Sequence, residues 1–272
     1  MRGLLPFFCC VLALPAQALQ VAVPSDVLAD YQRWLGGRDV LTLQAFSGEG
    51  VRRDVVEVAL FAQALKQGCD VDEIEWVSVD SYPRTLYMLR QGSVDAAATT
   101  LWRSDIQANG LQVSPAAIED GQFVAALYSS SSRYVEISQP EQLSALRAVS
   151  SPHWSKDWDV LQRMPFAEVL AVNDWATMVR WVASGKADVL LAPMVASDPP
   201  EWRSGDIKLV PLTGVRVALA GSRHFSFAPG QALSGCFSEG LSTLKQRGVI
   251  QAAYEQSGFW RRDFMRWPIM GR

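Results

Sequence analysis

Two nine-residue stretches decide the fold: Leu89-Arg90-Gln91-Gly92-Ser93-Val94-Asp95-Ala96-Ala97 and Val182-Ala183-Ser184-Gly185-Lys186-Ala187-Asp188-Val189-Leu190. In each, an apolar run with helical spacing stops at a glycine that can take a left-handed conformation, two residues turn the chain, and an aspartate opens a small apolar run. Each corner also follows a strand-helix pair. Ile74 to Val79 reads as a strand and Tyr82 to Arg90 as a helix before the first corner; Val169 to Val172 and Asp174 to Ala183 play the same parts before the second. The strands Ala96 to Thr100 and Asp188 to Ala192 come after them. Strands alternating with helices predict an α/β fold with largely parallel sheets, and the internal echo predicts two similar lobes.

Upstream, Val40 to Phe46 reads as a buried strand, Ser47-Gly48-Glu49-Gly50 as a turn, and Arg53 to Lys66 as a helix carrying Val55, Val56, Ala59, Leu60, Ala62, Ala64 and Leu65. Gly68-Cys69-Asp70 ends that helix. The second series begins after Tyr128-Ser129-Ser130-Ser131-Ser132, which reads either as a flexible linker or as the passage from one lobe to the next. A short helix opening at Gln139-Pro140-Glu141-Gln142-Leu143 and a strand from Ala145 to Ser150 come next.

Composition excludes several classes. The formal charge of −3 comes without a basic stripe, so nucleic acid is not an expected partner. Met1-Arg2-Gly3, the apolar run Leu4 to Leu14 and Pro15-Ala16-Gln17-Ala18 have the order of a secretory signal peptide over residues 1–18, which predicts export to the periplasm. The apolar run is shorter than the roughly 20 residues of a membrane span. The chain beyond residue 18 is long enough for two lobes of about 100 to 150 residues each. Cys69 and Cys236 are the cysteines beyond the leader, either bridged in an oxidising compartment or two small buried residues. With His153 and His224 far apart, they do not have the spacing of a structural zinc site, and no metal or cofactor is expected.

The helix and corner Arg84 to Asp95, then Thr100-Leu101-Trp102-Arg103, the corner Gly185-Lys186-Ala187-Asp188 and the closing Leu241 to Ile250 with Tyr254 together resemble the bacterial extracellular solute-binding proteins of family 3. These are the amino-acid-type periplasmic receptors of ABC transporters. The resemblance implies the type II periplasmic binding fold: two Rossmann-like lobes joined by a two-strand hinge, with the ligand caught between them. Lobe 1 would be discontinuous, residues 19–127 and 216–272, and lobe 2 would span 128–215, with Gly214 to Ala220 as the return strand. Cys69 and Cys236 would then share a lobe.

By the same resemblance, Thr100-Leu101-Trp102-Arg103 matches the segment that holds a ligand carboxylate, and a guanidinium fork suits that task. Arg103 is the expected anchor; the other reading is a surface arginine paired with Asp105. Trp102 and Tyr82 would wall the pocket, and Phe46 with Ser47 lies at the end of the expected first strand. In lobe 2, Ser150, His153, Trp154 and Asp174 stand on the comparable loops, with helix capping as the alternative for Asp174. Relatives carry an acid just after the second-lobe strand to take an ammonium group, whereas here the strand runs into Pro193. That departure disfavours an α-amino acid.

The expected function is a monomeric binding protein that closes on a small polar or carboxylate-bearing solute and serves an inner-membrane ABC permease. The alternatives are a sensor that engages a membrane partner, or a dehydratase-like enzyme for which His153 and Asp174 would have to supply the acid-base pair.

Overall fold

A computed structural model describes residues 18–71, 73–133 and 140–270; the expected leader up to Gln17 lies outside them. The chain starts with β1 (Leu19–Pro24), α1 (Ser25–Leu35), α2 (Arg53–Cys69), β2 (Ile74–Val79), α3 (Tyr82–Arg90), β3 (Ala96–Trp102), α4 (Arg103–Ala108) and β4 (Gln112–Ile118). It continues through β5 (Val124–Ser130), β6 (Arg147–Ser150), α5 (Ser155–Arg163), β7 (Glu168–Ala171), α6 (Trp175–Ser184), β8 (Val189–Ala192), β9 (Trp202–Ser204), β10 (Ile207–Pro211) and β11 (Arg216–Ala218). It ends with β12 (Arg223–Phe227), α7 (Ser234–Gln246), α8 (Val249–Gln256) and β13 (Ile269–Met270).

These strands make two sheets. The first has the order β2-β1-β3-β12-β4, with β1 parallel to both neighbours and β12 antiparallel to both of its own. The second has the order β13-β11-β5-β8-β6-β7, with β10 added on β5 and β9 on β10. Both corners hold to the atom. Asp95 exchanges bonds with the backbone of Gln20 at the start of β1, its N–H donating to the Gln20 carbonyl and its carboxylate accepting from the Gln20 N–H, both at 2.8 Å. Asp188 does the same with Arg147 at the start of β6, at 2.8 and 2.9 Å. Gly92 and Gly185 supply the left-handed residues, at φ 66° and 78°.

Three expectations are corrected. Val40 to Phe46 is not a strand: Val40–Thr42 is a single 3-10 turn, and the chain after it joins no sheet. The reason is Gln63 on α2, whose amide nitrogen donates to the carbonyls of Val40 and Leu43 at 2.8 Å each, replacing a neighbouring strand. The first strand of that sheet is instead β1, between β2 and β3, which periodicity does not single out because its apolar residues run on from the leader. Finally, Tyr128-Ser129-Ser130 is no linker. These residues are buried in β5, where the Ser129 hydroxyl donates to the Asp188 carbonyl at 2.8 Å.

Sheet membership changes between Ile118 and Val124 on the outward path and between Ala218 and Arg223 on the return. Leu219 N–H donates to the Phe123 carbonyl at 3.0 Å, tying the two crossings together. These changes differ from the expected boundaries at 127/128 and 215/216, because β5 and β11 pair throughout with the second sheet. The tail makes a third connection: a Cβ at Gly258 would run into the backbone of Val195 and Ala196, and β13 pairs β11. In the first lobe, α7 lies against α2 so closely that a Cβ at Gly68 or Gly240 would meet backbone of the other helix. The Cys69–Cys236 disulfide joins the same two helices, with a Cα–Cα distance of 5.1 Å. Among the described residues, no helix is long and apolar enough to cross a membrane.

Candidate functional site

Open α/β sheets place ligands beyond the carboxyl ends of their strands, where helix N-termini also converge. In the first lobe that position is occupied by the start of α2, the end of β3 and the start of β12. They bring Arg53, Thr100, Trp102 and Arg223 together.

Glu57, one turn into α2 and fully buried, organises this cluster. It accepts from Arg53 Nη1 at 2.6 Å, from the Thr100 N–H at 2.9 Å, from the Thr100 hydroxyl at 2.8 Å and from the Tyr254 hydroxyl at 3.1 Å. A buried carboxylate is tolerated only when its lone pairs are filled this way. Arg223, 8% exposed, donates from Nε to the Thr100 hydroxyl at 3.0 Å and from Nη2 to the Thr100 carbonyl. Its guanidinium lies over the rings of Trp102 and Phe123, at 4.7 and 5.3 Å from their centroids. Phe123, on the outward crossing, also faces Arg53 at 5.5 Å. Arg53 Nε is buried without an acceptor among the described residues.

The electrostatics separate the two arginines. Burial opposes the Arg53 charge, but Glu57 and then Asp54 hold its pKa above the ordinary value. Burial and the neighbouring Arg53 cation push Arg223 below its ordinary value, with Glu57 and Asp157 only partly offsetting them. Arg52 is satisfied separately, by Asp26 and Asp30 at 2.9 Å each and by Asp54, and lies 5.9 Å from the ring centroid of Trp202 on the second lobe.

The second lobe contributes Asp157, in the first turn of α5. Burial pushes its carboxyl up to about 6, against the opposing pull of Arg223 and Arg53. The first-lobe strand ends therefore carry two adjacent guanidiniums beside aromatic walls, and their charge reaches the Asp157 carboxyl of the second lobe. Such an arrangement can bind an anionic group bidentately in a water-poor setting.

Of the residues expected from sequence, Tyr82, Thr100 and Trp102 come together here, though not as free ligand groups. Thr100 is fully buried and engaged by Glu57 and Arg223. The Tyr82 hydroxyl donates to Asp105 at 2.7 Å and accepts from the Trp102 N–H at 3.1 Å, so it fixes the wall. Arg103 starts α4 with an exposed side chain, and its N–H donates to the Ser222 carbonyl at 3.0 Å. The buried guanidinium next to Thr100 belongs to Arg223 instead. Phe46 is in the first-lobe core, and Ser47 is an exposed loop residue whose carbonyl accepts from the Trp34 indole at 3.1 Å. In the second lobe, Ser150 is buried at the end of β6, His153 is exposed, and Trp154 is half-buried at the entry to α5. Asp174 caps α6, accepting from the Thr177 N–H at 2.8 Å. The Pro193 carbonyl accepts from Trp202 Nε1 at 2.9 Å.

Sequence reasoning misses Arg53, Glu57, Phe123, Asp157 and Arg223. Glu57 and Arg223 do leave a signal, since each is a charge set within an otherwise buried run: Val55 to Leu60 around one and the strand to Phe227 around the other.

Two open concavities lie elsewhere on the first lobe. One, about 590 Å3, runs between the 3-10 turn and α2, α7 and α8; the other, about 560 Å3, lies by Gln20 and Asp95. Neither includes a residue of the arginine cluster.

No family model and no curated protein matches the sequence. Solved structures do match in fold. A probable amino-acid ABC transporter extracellular-binding protein, YtmK of Bacillus subtilis, aligns over 91% of this chain and 99% of its own, with TM-score 0.59 and 17% identity. The periplasmic VFT2 domain of Bordetella pertussis BvgS aligns over 88% and 92%, with TM-score 0.56 and 16% identity. The ancestral amino acid-binding protein AncCDT-1, a precursor of cyclohexadienyl dehydratase, aligns over 88% and 95%, with TM-score 0.53 and 14% identity. The chain has the two-lobed type II periplasmic binding fold, as its resemblance to family 3 implies.

Proposed function

We propose that the chain is an exported solute-binding protein whose lobes, divided where the strands change sheets, close over the anionic group of a small solute and present it to an inner-membrane ABC permease. The observation that carries this reading is the buried Arg223–Arg53 pair at the carboxyl end of the first-lobe sheet, held by Thr100 and Glu57 beside the rings of Trp102 and Phe123. Arg223 is the anchor in this reading. Its Nε and Nη2 are held by Thr100 while Nη1 takes no part in those bonds, so the fork is preorganised before ligand arrives. Arg53 is the second cation, Trp102 and Phe123 are the walls, and Glu57 and Tyr82 position these groups.

The fold match to YtmK, described as a transporter binding protein, supports delivery to a permease. The leader-like start of the sequence supports the periplasm. The acid-base pair that the enzyme alternative would draw from His153 and Asp174 finds Asp174 engaged as a helix cap.

A thermal-shift screen of the purified protein against carboxylates, amines, sugars and aromatic acids tests the reading, since a ligand that binds only the native state raises apparent stability. Carboxylates should give the largest shifts, and Arg223→Ala should abolish them, a loss of at least about 100-fold in affinity on the scale of one broken charge-assisted pair. A retained shift in that variant would discard the anchor. Turnover of any compound would favour the enzyme, and no shift at all would favour a sensor that reads a protein partner.

A further inference from the structure

Resting on the anion site proposed above, we infer that the segment after α8 is a clasp. Gly258, seated on Val195 and Ala196, holds the lobes at the angle at which α8 steadies the arginine pair, so the tail sets how tightly the cleft binds. The two crossings between the sheets run side by side, since β5 and β11 pair. A joint of two adjacent strands, about 4.8 Å apart, bends readily. The tail adds a third connection to that joint. Phe259 packs edge-on against Phe123 of the outward crossing and against Tyr254 of α8, with ring centroids 5.2 and 5.3 Å apart. Phe264 is already fully buried in the second lobe, in the apolar cluster of Tyr128, Val179 and Leu190. Beyond it β13 pairs β11, and Arg216 Nε donates to the Trp267 carbonyl at 2.7 Å.

The seat of Gly258 lies off that joint. Val195 and Ala196 follow the carboxyl end of β8, which is two strands from β11 in the second sheet, or about 10 Å. A contact there resists opening with a lever arm that the crossings lack. It is backbone on backbone: at φ 81°, a Cβ on Gly258 would stand 2.2 Å from the Ala196 nitrogen and the Val195 carbonyl carbon. Arg261 Nη1 adds a bond to the Ser197 carbonyl at 2.8 Å. One helical turn before Gly258, the Tyr254 hydroxyl donates at 3.1 Å to the same Glu57 oxygen that accepts from Arg53 at 2.6 Å. Phe259 meets Phe123, the ring that faces both guanidiniums. Parting at Gly258 therefore pulls on Tyr254 and Phe123, and through them on Arg53 and Arg223. The clasp can also let go. Trp260, its ring 4.8 Å from that of Tyr254, has its indole N–H buried without an acceptor among the described residues, and such a donor regains water when the lobes part.

Two readouts test the clasp, one of them free of ligand. Spin labels on Ala108→Cys in α4 and Ala176→Cys in α6, both at exposed positions, report the distance between the lobes by pulsed dipolar spectroscopy. The otherwise natural protein should give one narrow distance, and Gly258→Ala should spread it toward longer values. Calorimetric titration with propionate, succinate and 3-phenylpropionate then measures affinity. The tightest of these acids should bind Gly258→Ala about tenfold more weakly, the loss expected when the clasped fraction falls to about a tenth. Gly258→Asn should act alike, because asparagine tolerates the left-handed region but brings the same Cβ. Gly248→Ala, at the start of α8, is the control. Its φ is 73° with nothing within 4 Å of the added Cβ, so it carries backbone strain alone and should leave distance and affinity unchanged. Arg261→Ala keeps the backbone seat and should spread the distance less. Tyr254→Phe should weaken binding at an unchanged distance.

An unchanged distance in Gly258→Ala and Arg261→Ala would overturn the clasp, and so would a Gly248→Ala variant as open as Gly258→Ala. Gly258→Asn behaving like the natural protein would trace the effect to backbone strain and discard the seat on Val195 and Ala196. A longer distance with undiminished affinity would overturn the coupling to the site. Arg223→Ala separates the clasp from the anion site: it should lose binding and keep the ligand-free distance. Retained binding in that variant removes the anion site, while the distances still decide the clasp. No heat from the three acids at millimolar concentration would count against the anion site and against the setting of affinity from the tail.

Discussion

The two lobes share a corner but not a cleft face. Gly92-Ser93-Val94-Asp95 and Gly185-Lys186-Ala187-Asp188 turn the chain alike, and each aspartate exchanges bonds with the backbone at the start of the neighbouring parallel strand. The first lobe then surrounds its strand ends with Arg53 and Arg223, locks them from beneath with Glu57, and ties α2 to α7 by a disulfide. In the second lobe, Asp157 stands on the first turn of α5. The corner is a folding device that any α/β lobe needs. In the proposed reading the cleft face is where the lobes have separate tasks, one charged before ligand arrives, the other closing on it.

The disulfide is the largest difference to break. Its cysteines are 167 residues apart and enclose the whole second lobe, so the loop-entropy model gives about 5 kcal/mol as an upper figure. Replacing Cys69 and Cys236 by serine should lower the stability of the first lobe by about 2–5 kcal/mol. Hydrogen exchange with mass-spectrometric readout would show the change in α2 and α7, with β6, β7 and α6 protected as before. Equal loss of protection in both lobes would mean that they unfold as one unit.

The corners allow a finer comparison. Asp95→Ala and Asp188→Ala each leave a strand-initiating N–H, of Gln20 or Arg147, without its acceptor, at a cost of about 1–3 kcal/mol each. Asp188 also pairs with the Arg147 side chain at 3.0 Å, but that side chain is 39% exposed, and such pairs contribute little in salt. Chemical denaturation should therefore find similar losses for the two variants, with any excess for Asp188→Ala removed by about 0.5 M salt. An excess that survives salt would show that the ion pair, not the shared backbone cap, holds the second corner.

These contrasts also explain what can be read from the sequence. The corners are legible because they are local: a glycine, two turn residues and an aspartate within nine positions, bounded by periodic apolar runs. The α3 boundaries, Tyr82 and Arg90, are legible for the same reason, with Ser81 accepting from the Arg84 N–H as its cap. The cleft is not, because Arg53 and Glu57 on α2, Phe123 on the outward crossing and Arg223 on β12 come together only in the fold, and no spacing along the chain brings Arg223 to Arg53. The strand expected from Val40 fails on a similar long-range fact, since Gln63 fills the carbonyls a strand would have paired. Arg103 stands in the motif that points to an anchor, but the fold puts the neighbouring strand's Arg223 next to Thr100 instead.

The smallest effect is the most direct probe of the asymmetry. Asp157 has a folded-state pKa raised from 3.8 to about 6, so the native protein holds its proton more tightly than the unfolded chain does. The resulting contribution to stability is full below about pH 4 and is lost as pH rises through 6, above which the ionised carboxyl weighs against the fold. Two pKa units correspond to about 3 kcal/mol as a ceiling, and for a half-buried side chain screened by solvent about 1 kcal/mol is the reasonable expectation. Asp157→Asn, which cannot ionise, should therefore melt higher than the natural protein at pH 8 and at the same temperature at pH 4, both without ligand. Asp174→Asn makes the control within the same lobe. The Asp174 carboxyl is held below its ordinary value by its hydrogen bonds to Thr177, so that variant should lose stability at pH 8. If Asp157→Asn instead melts lower at pH 8, the attraction between Asp157 and Arg223 outweighs burial, and the second lobe is held onto the first by charge even when the cleft is empty.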